Sequence, residues 1–341
     1  MMNKILITGG SGFIGTNFVN FASKKKVEIL NIDKLSTVST PEKFKKILYK
    51  NKYSFIKNNL QNVNQIYRIL TKFKPEIIMN FAAESHVDRS INNPLYFIQN
   101  NINASSNLFL AYSKFYERKK AKLFHISTDE VYGSANQGAF KENDNYEPSS
   151  PYSASKGSTD LIAMSFNRTY STNIKIINLT NNYGPYQYPE KFVPTLIFHF
   201  LQNKPAPIYG SGKNVREWIY VDDSCNAIWE TVKSNKKFEK INIGSNKRVS
   251  NIDIAKMVFK IMKQNNLTKL TQNNYLKSVK DRPGHDKRYA LNTSYFNKTI
   301  GYKMKFDLSL GLKNTIEWYI KNITWLKSTK KSYNFKRLGL L

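Results

Sequence analysis

Acidic residues, cysteine and long apolar runs are the scarce features of this 341-residue chain. Cys225 is its single cysteine, so no intrachain disulfide can form, and a lone thiol suits a reducing compartment, where it acts as a small buried hydrophobe. The four histidines, His86, His125, His199 and His285, have no metal-ligand spacing with one another or with Cys225, so no metal site is expected. No apolar run approaches the roughly 20 residues that span a bilayer. Met1 to Thr8 runs straight into a strand, which predicts no signal peptide and a cytoplasmic location.

Only 24 Asp and Glu stand against 53 Lys and Arg, leaving a formal charge of +29. An excess of that size raises the question of nucleic-acid or anionic-surface binding. Lys supplies most of it, in short scattered runs such as Lys24-Lys25-Lys26, Lys45-Lys46, Lys119-Lys120 and Lys330-Lys331, with no concentrated arm. That distribution reads as solvated surface rather than a nucleic-acid face. A phosphate-bearing ligand is compatible with it.

Residues 4 to about 180 alternate short apolar runs with amphipathic stretches. Strands are expected at 4–8, 27–32, 53–56, 77–81, 123–127 and 174–179, and helices at 13–23, 62–73, 94–117 and 152–171. This alternation of periods predicts βαβ units and a doubly wound parallel α/β sheet of the Rossmann type. After Thr180, Gly184-Pro185, Pro189, Pro194, Pro205, Pro207 and the turn Gly210-Ser211-Gly212 break the rhythm. The expected division is a nucleotide-binding domain over 1–180, completed by parts of 214–245, and a smaller C-terminal α/β substrate lobe over 181–341. Helices are expected there at 222–233, 251–265 and 309–321, the second with a capped start at Asn251-Ile252-Asp253. A basic tail runs from Ser328 to Leu341.

Gly9-Gly10-Ser11-Gly12-Phe13-Ile14-Gly15 follows the first strand and opens the first helix, where backbone amides and a helix N-terminus can face a pyrophosphate. Asp33, ending the second strand, is placed to accept from ribose hydroxyls and to repel a 2′-phosphate, which favours NAD over NADP; a plain turn residue is the alternative. Lys34 beside it pulls the other way. Asn59 and the small shelf Phe81-Ala82-Ala83 follow the third and fourth strands.

Tyr-x-x-x-Lys occurs at Tyr152/Lys156 but also at Tyr53/Lys57, Tyr116/Lys120 and Tyr209/Lys213. Position singles out the first, which opens a helix just after the fifth strand. One helical turn sets the ammonium beside the phenol, and a neighbouring cation is expected to lower the tyrosine pKa toward neutrality.

With these motifs the chain resembles the extended short-chain dehydrogenase/reductase family and, within it, the dTDP-glucose 4,6-dehydratases. The resemblance rests on GGSGFIG at 9–15, IDKLS at 32–36, AAESHVDRS at 82–90, STDEVYG at 127–133, PYSASK at 151–156, NNYGPYQYPEK at 181–191, PIYGSG at 207–212, REWIYVDD at 216–223 and DRPGHDKRYA at 281–290. It implies that Glu130 is the base that removes a C5 proton and Asp129 the acid that helps the C6 hydroxyl leave. Thr128 and Tyr152 would act at the C4 oxygen, with Lys156 behind them. Expected cofactor contacts are Gly9, Gly12, Phe13, Ile14, Gly15, Asp33, Lys34, Leu35, Ser36, Asn59, Leu60, Phe81, Ala82, Ala83, Ser85, Asn100, Tyr152, Lys156 and Asn182. Ser85, His86, Thr128, Asn181, Lys191, Phe192, Pro207, Ile208, Tyr209, Arg216, Asn251, Arg282 and His285 would meet the nucleotide sugar, His285 equally readable as a structural histidine. The resemblance also implies a homodimer through helices 94–117 and 152–171. Open alternatives are the same reaction on UDP-glucose, a sugar-nucleotide 4-epimerase, and a non-catalytic nucleic-acid-binding protein on the same fold.

Overall fold

A computed structural model describes residues 3–36, 38–39 and 52–332, with side chains to Thr329, so Lys45-Lys46, the side chains of Lys330-Lys331 and most of the basic tail lie outside the described residues. The chain runs β1 (Lys4–Thr8), α1 (Phe13–Ser23), β2 (Glu28–Asp33), β3 (Tyr53–Lys57), α2 (Val63–Phe73), β4 (Ile77–Asn80), α3 (Val87–Asn92), α4 (Pro94–Phe97), α5 (Ala104–Arg118), β5 (Lys122–Thr128), α6 (Pro151–Tyr170) and β6 (Ile174–Leu179). It continues through β7 (Asn181–Tyr183), α7 (Phe192–Leu201), β8 (Ala206–Tyr209), β9 (Val215–Tyr220), α8 (Val221–Lys233), β10 (Lys240–Ile243), β11 (Arg248–Ser250), α9 (Asn251–Gln264), β12 (Leu276–Val279), α10 (Ser294–Thr299), α11 (Leu308–Lys321) and α12 (Ile323–Ser332).

Seven strands form one parallel sheet in the order β10-β6-β5-β4-β1-β2-β3. Ile5 pairs with Ile29 and Ile77, and Leu123 with Ile174, so the apolar strand centres align across the sheet. Alternation along each strand then feeds two layers. Ile5 and Ile7 pack with Phe18, Val19, Ile228 and Trp229 on the α1/α8 side, while Leu6 packs with Leu70, Leu108, Phe109 and Tyr112 on the α2/α5/α6 side.

The helix expected at 94–117 is interrupted. Pro94 starts α4, residues 98–103 form a π-helical segment, and α5 follows. The start of α9 also differs from expectation: Ser250, not Asn251, is the cap, its hydroxyl accepting from Asp253 N, and Asn251 is the first helical residue.

The chain leaves the large sheet after β6 and returns with α8 and β10, which pairs with β6. Between and beyond lie a three-stranded sheet, β11-β9-β7, and a two-stranded one, β12-β8, packed by α7, α9 and α11 around Leu196, Phe200, Val258, Met262 and Leu312. Asp223 on α8 ties the two parts. Buried to 1% exposure, it accepts from Tyr302 OH (2.7 Å), Lys305 N (2.9 Å) and Phe306 N (3.0 Å) in the segment leading to α11. Asp223→Ala strands those donors and is expected to cost about 2–4 kcal/mol, read as a lower urea midpoint in equilibrium unfolding; an unchanged midpoint refutes the tether.

Candidate active site

The carboxyl ends of the parallel strands meet at one edge, where an open α/β sheet binds its ligands. Gly9, at φ +71°, turns the chain there, and a Cβ on it would lie 2.5 Å from Ala82 N. A Cβ on Gly15 would lie 2.2 Å from Gly9 O, so the first turn of α1 closes on the loop only because that position is bare. Gly12 caps α1 with no side chain, leaving the helix N-terminus free for an anion.

Ser11 N donates to Asp33 Oδ2 (3.0 Å) and Leu35 N to Asp33 Oδ1 (2.8 Å), which aims this carboxylate at the loop. Of the expected cofactor residues, Gly9, Gly12, Asp33, Lys34, Ser36, Asn59, Leu60, Phe81, Ala82, Ala83 and Asn100 line one continuous cleft, joined by Asn58 and Glu84. Phe13, Ile14, Gly15, Leu35 and Ser85 are not among its lining residues, nor are Tyr152 and Lys156, which belong to the adjoining cluster at the start of α6. Asn182 lines the neighbouring cavity instead, held there by its own Nδ2 bond to Thr180 O (2.9 Å). Lys34 is committed to Glu84 (2.5 Å) and Asn100 Oδ1 (2.8 Å).

At the end of β5, Thr128 caps a short turn over 129–132 by accepting from Glu130 N, and its hydroxyl donates to Asp129 Oδ1 (3.2 Å). Asp129 is 2% exposed, and among the described residues its Oδ2 has no partner. Burial, then the charges of Glu130 and Glu217, push its pKa well above the usual carboxylate range. Burial raises Glu130 too, but the cations of Arg282, Arg216 and Lys191 oppose that shift. The two neighbours therefore sit in unlike environments, one suited to hold a proton and the other partly compensated as an anion.

Ser150 starts α6 with a capping box to Ser153 and Pro151 in the first turn, which delivers Tyr152 and Lys156 to the same spot. The lysine does not act on the tyrosine as expected. Its Nζ donates to Ile126 O (2.7 Å) and meets His125 Nε2 (3.2 Å), while Tyr152 is raised by burial and by the charges of Glu130 and Asp129, a hydrogen bond with Thr128 opposing. The direction of the tyrosine shift is thus the reverse of the sequence expectation: desolvation and two carboxylates outweigh one cation turned toward β5. Burial brings Lys156 down to about 8.

Beneath lies Asp160, buried, accepting from Ser127 Oγ (2.7 Å) and Tyr146 OH (3.0 Å) and raised by burial to about 6. Asn80 Oδ1 accepts from Thr8 Oγ1 and Ala82 N, so its amide faces His125 Nδ1 (2.9 Å) and assigns the imidazole proton to Nε2.

The adjoining cavity, about 260 Å³, is lined by the expected His86, Asn181, Lys191, Phe192, Pro207, Ile208, Tyr209, Arg216, Asn251, Arg282 and His285, with Glu130 on its wall. Ser85 is absent from that lining but its carbonyl accepts from Lys191 Nζ (2.5 Å). Thr128 is not among the cavity's lining residues. His285 holds Asp281 Oδ1 (2.6 Å) and is lowered to about 4 by burial and the nearby guanidinium groups of Arg282 and Arg216, so it faces a ligand neutral.

Sequence reasoning missed Asp88, Gln187, Glu190 and Tyr289, which also line the cavity. Asp88 accepts from Tyr209 OH (2.6 Å) and pairs with Arg282 (3.4 Å), holding both in place. Asp88 lies within AAESHVDRS and Tyr289 within DRPGHDKRYA, so a signal was present for both; Gln187 and Glu190 lie within NNYGPYQYPEK. Among the described residues Asn181 Oδ1, Asn182 Oδ1 and Gln187 Oε1 are buried without a partner. Such orphan acceptors beside three cations suit a hydroxyl-rich, phosphate-bearing ligand. No cluster of metal-ligating residues occurs among the described residues, and none of their helices is long and apolar enough to cross a membrane.

A model of the GDP-mannose 4,6 dehydratase family matches residues 6–315. The chain belongs to that family. It is an NAD-dependent nucleotide-sugar 4,6-dehydratase family enzyme, of the extended short-chain dehydrogenase/reductase type. A probable dTDP-glucose 4,6-dehydratase of Sinorhizobium fredii is 38% identical over 346 residues, covering 99% of each chain. A dTDP-glucose 4,6-dehydratase of Streptomyces venezuelae, solved with NAD and TYD bound, superposes with a TM-score of 0.89 at 32% identity, covering 96% of this chain and 100% of that one. A UDP-glucose 4-epimerase of Thermotoga maritima superposes with 0.84 at 25% identity, over 94% and 99%. Family enzymes use NAD, and the cradle around Gly9, Gly15 and Asp33 fits such a dinucleotide.

The raised pKa of Asp129 has a sign that can be worked through. An unfolded aspartate releases its proton near pH 4, whereas the folded one keeps it, so folding takes up a proton between those two values. Stability therefore falls as pH rises from about 4 toward the folded pKa. Asp129→Asn lacks this loss, so its melting temperature should gain on the parent's as pH is raised from about 4 toward the folded pKa; an equal or shrinking margin in thermal melts contradicts the assignment.

Proposed function

We propose that the protein is a dTDP-glucose 4,6-dehydratase that binds NAD and converts dTDP-glucose to dTDP-4-keto-6-deoxyglucose and water. The observation that carries this reading is the Asp129-Glu130 pair: one carboxyl buried with an unpartnered oxygen, the next faced by three cations. A 4-epimerase has no water to expel and no use for such an acid and base. When bound in the glycine-loop cleft, NAD supplies the hydride acceptor at C4 and the hydride donor at C6.

Tyr152 takes the C4 hydroxyl proton, with Thr128 hydrogen-bonding the same oxygen. Charging that buried phenol beside two carboxylates is costly, which makes this the step most sensitive to pH. Glu130 removes the C5 proton, acidified by the C4 ketone, and Asp129 protonates the departing C6 hydroxyl. Lys191, Arg216 and Arg282 hold the diphosphate, the two guanidinium groups by bidentate hydrogen bonds. A homodimer fits the solvent-exposed Leu95, Tyr96 and Ile98 at 94–98 and Leu161 on α6, and the lone buried Cys225 suits the cytoplasm. UDP-glucose is the alternative substrate, since the two nucleotides differ by a base methyl and one ribose hydroxyl.

Incubation with dTDP-glucose and UDP-glucose separately, without added reductant, should give a product lighter by one water from dTDP-glucose at the higher rate. Glu130→Gln and Asp129→Asn should each lower that rate about 10²- to 10⁴-fold. Water loss from neither sugar overturns the proposal, and C4 inversion surviving in both variants would select the epimerase.

Cofactor choice has its own test. With Lys34 tied to Glu84, the charge facing the ribose is that of Asp33, so Asp33→Ser should weaken NAD about tenfold, or ~1.4 kcal/mol, and strengthen NADP. Equilibrium titration with each dinucleotide reads this directly, and unchanged selectivity would remove Asp33 from the role.

A further inference from the structure

Glu130 does not end the polar chain in the cavity. Its Oε2 lies 3.4 Å from Tyr289 OH, and the same phenol lies 2.5 Å from Asp286 Oδ2. A phenol has one proton and here two carboxylates; the shorter contact takes it, so the phenol oxygen turns its lone pairs toward Glu130. The other oxygen of Asp286, Oδ1, accepts from Ser149 Oγ at 2.7 Å. Tyr289 is 3% exposed and Asp286 7%, whereas Ser149 is exposed. The row therefore leads from the cavity wall to bulk water.

The row is held in place by groups that do not belong to it. The Arg216 guanidinium stacks on the Tyr289 ring at 4.2 Å and donates to Asp286 O (2.9 Å), which Asn214 Nδ2 also engages (3.0 Å). Gly284, at φ +60°, has no Cβ where Ser149 O passes; one built there would stand 2.5 Å from it, so the bare position lets Ser149 reach Asp286.

We infer that Glu130, Tyr289, Asp286 and Ser149 form a proton relay through which the base of the reaction exchanges its proton with solvent while the sugar covers the cavity. The inference rests on the dehydratase reading of Glu130. Once Glu130 holds the proton taken from C5, its acid OH donates to the Tyr289 oxygen as the phenolic proton passes to Asp286. Asp286, now neutral with the proton on Oδ2, turns its carboxyl to present that proton to Ser149 Oγ as the serine's own proton passes to water, and the return to C5 runs the same row backwards. No charge is created beyond the one proton moved. Burial and the Glu130 charge hold the Tyr289 pKa well above its ordinary value, which keeps it a neutral carrier rather than a phenolate.

A tyrosine that only orients Glu130 would change the rate of water loss but not the origin of the hydrogen at C5. The test is dTDP-glucose deuterated at C5, turned over in ordinary water by the full chain with NAD, with the C5 label of early product read by mass spectrometry and NMR. The parent protein should wash the label out. Tyr289→Phe and Asp286→Asn should each retain it at least about fivefold more, because the abstracted hydrogen now returns to the carbon it left. Should Tyr289→Phe not fold, Asp286→Asn carries the same readout from a residue outside the cavity lining. Label retained by the parent, or washed out equally by both variants, overturns the relay while leaving the dehydratase intact. Absence of water loss from the parent overturns the dehydratase reading and the relay with it.

Discussion

The contact between the Lys156 ammonium and the Ile126 carbonyl clamps α6 to β5, and the catalytic geometry depends on that clamp. Thr128, Asp129 and Glu130 come two to four residues after Ile126, and Tyr152 precedes Lys156 by one helical turn. Fixing one backbone carbonyl to one side chain therefore sets five functional groups against each other. Asp160, one further turn along α6, takes the Ser127 hydroxyl and completes the seam. In this dry environment each polar bond is worth more than at the surface, and each would be costly to leave unmade. A helix so held cannot slide by a residue without unpairing a buried charge.

The same dryness explains the carboxylate pair. Burial alone would raise both acids, and the Glu130 charge raises Asp129 further. Symmetry is broken by what faces them: Arg216, Arg282 and Lys191 all come from the lobe and face Glu130, whereas Asp129 looks back toward Glu217, itself fully buried against Arg248. In the proposed reaction the acid is supplied by the strand end and its base is tuned by the lobe, so that chemistry needs the place where the two parts meet. That gives the Asp223 tether a functional meaning beyond stability, because it fixes the lobe's approach to the sheet.

Much of this was legible in the chain. The strands at 4–8 and 174–179 and the helix at 13–23 fall where period and punctuation place them, since each apolar face is buried against a neighbour that reads the same way. The glycine loop, Asp33 and Asn59 converge on one cleft because they come after successive strands of one sheet. The features that escaped reading depend on contacts between distant segments. The Tyr152 shift was expected downward from the lysine spacing alone, but the direction Lys156 takes is set by a carbonyl on another element. The π-helical segment at 98–103 carries no signal in the apolar period, and His125, weighed in the sequence only as a metal ligand, is a hydrogen-bonded part of the lysine's surroundings. Asp286 touches Tyr289 within one motif, yet its partner Ser149 is 137 residues away.

Fold likeness cannot by itself separate a dehydratase from an epimerase here, because relatives of both kinds superpose almost equally, at 0.89 and 0.84. Both are named for chemistry on a nucleotide sugar, so the scaffold they share carries no information about which reaction follows. Discrimination has to come from groups that matter only after the ketone forms. In the proposed reaction the buried Asp129, the cation-faced Glu130 and a route for the base's proton are three such groups, and all three begin at residues 129 and 130. A buried, partnerless carboxyl oxygen destabilises a fold, and under the proposed reaction that oxygen at the end of β5 is the one that protonates the leaving hydroxyl.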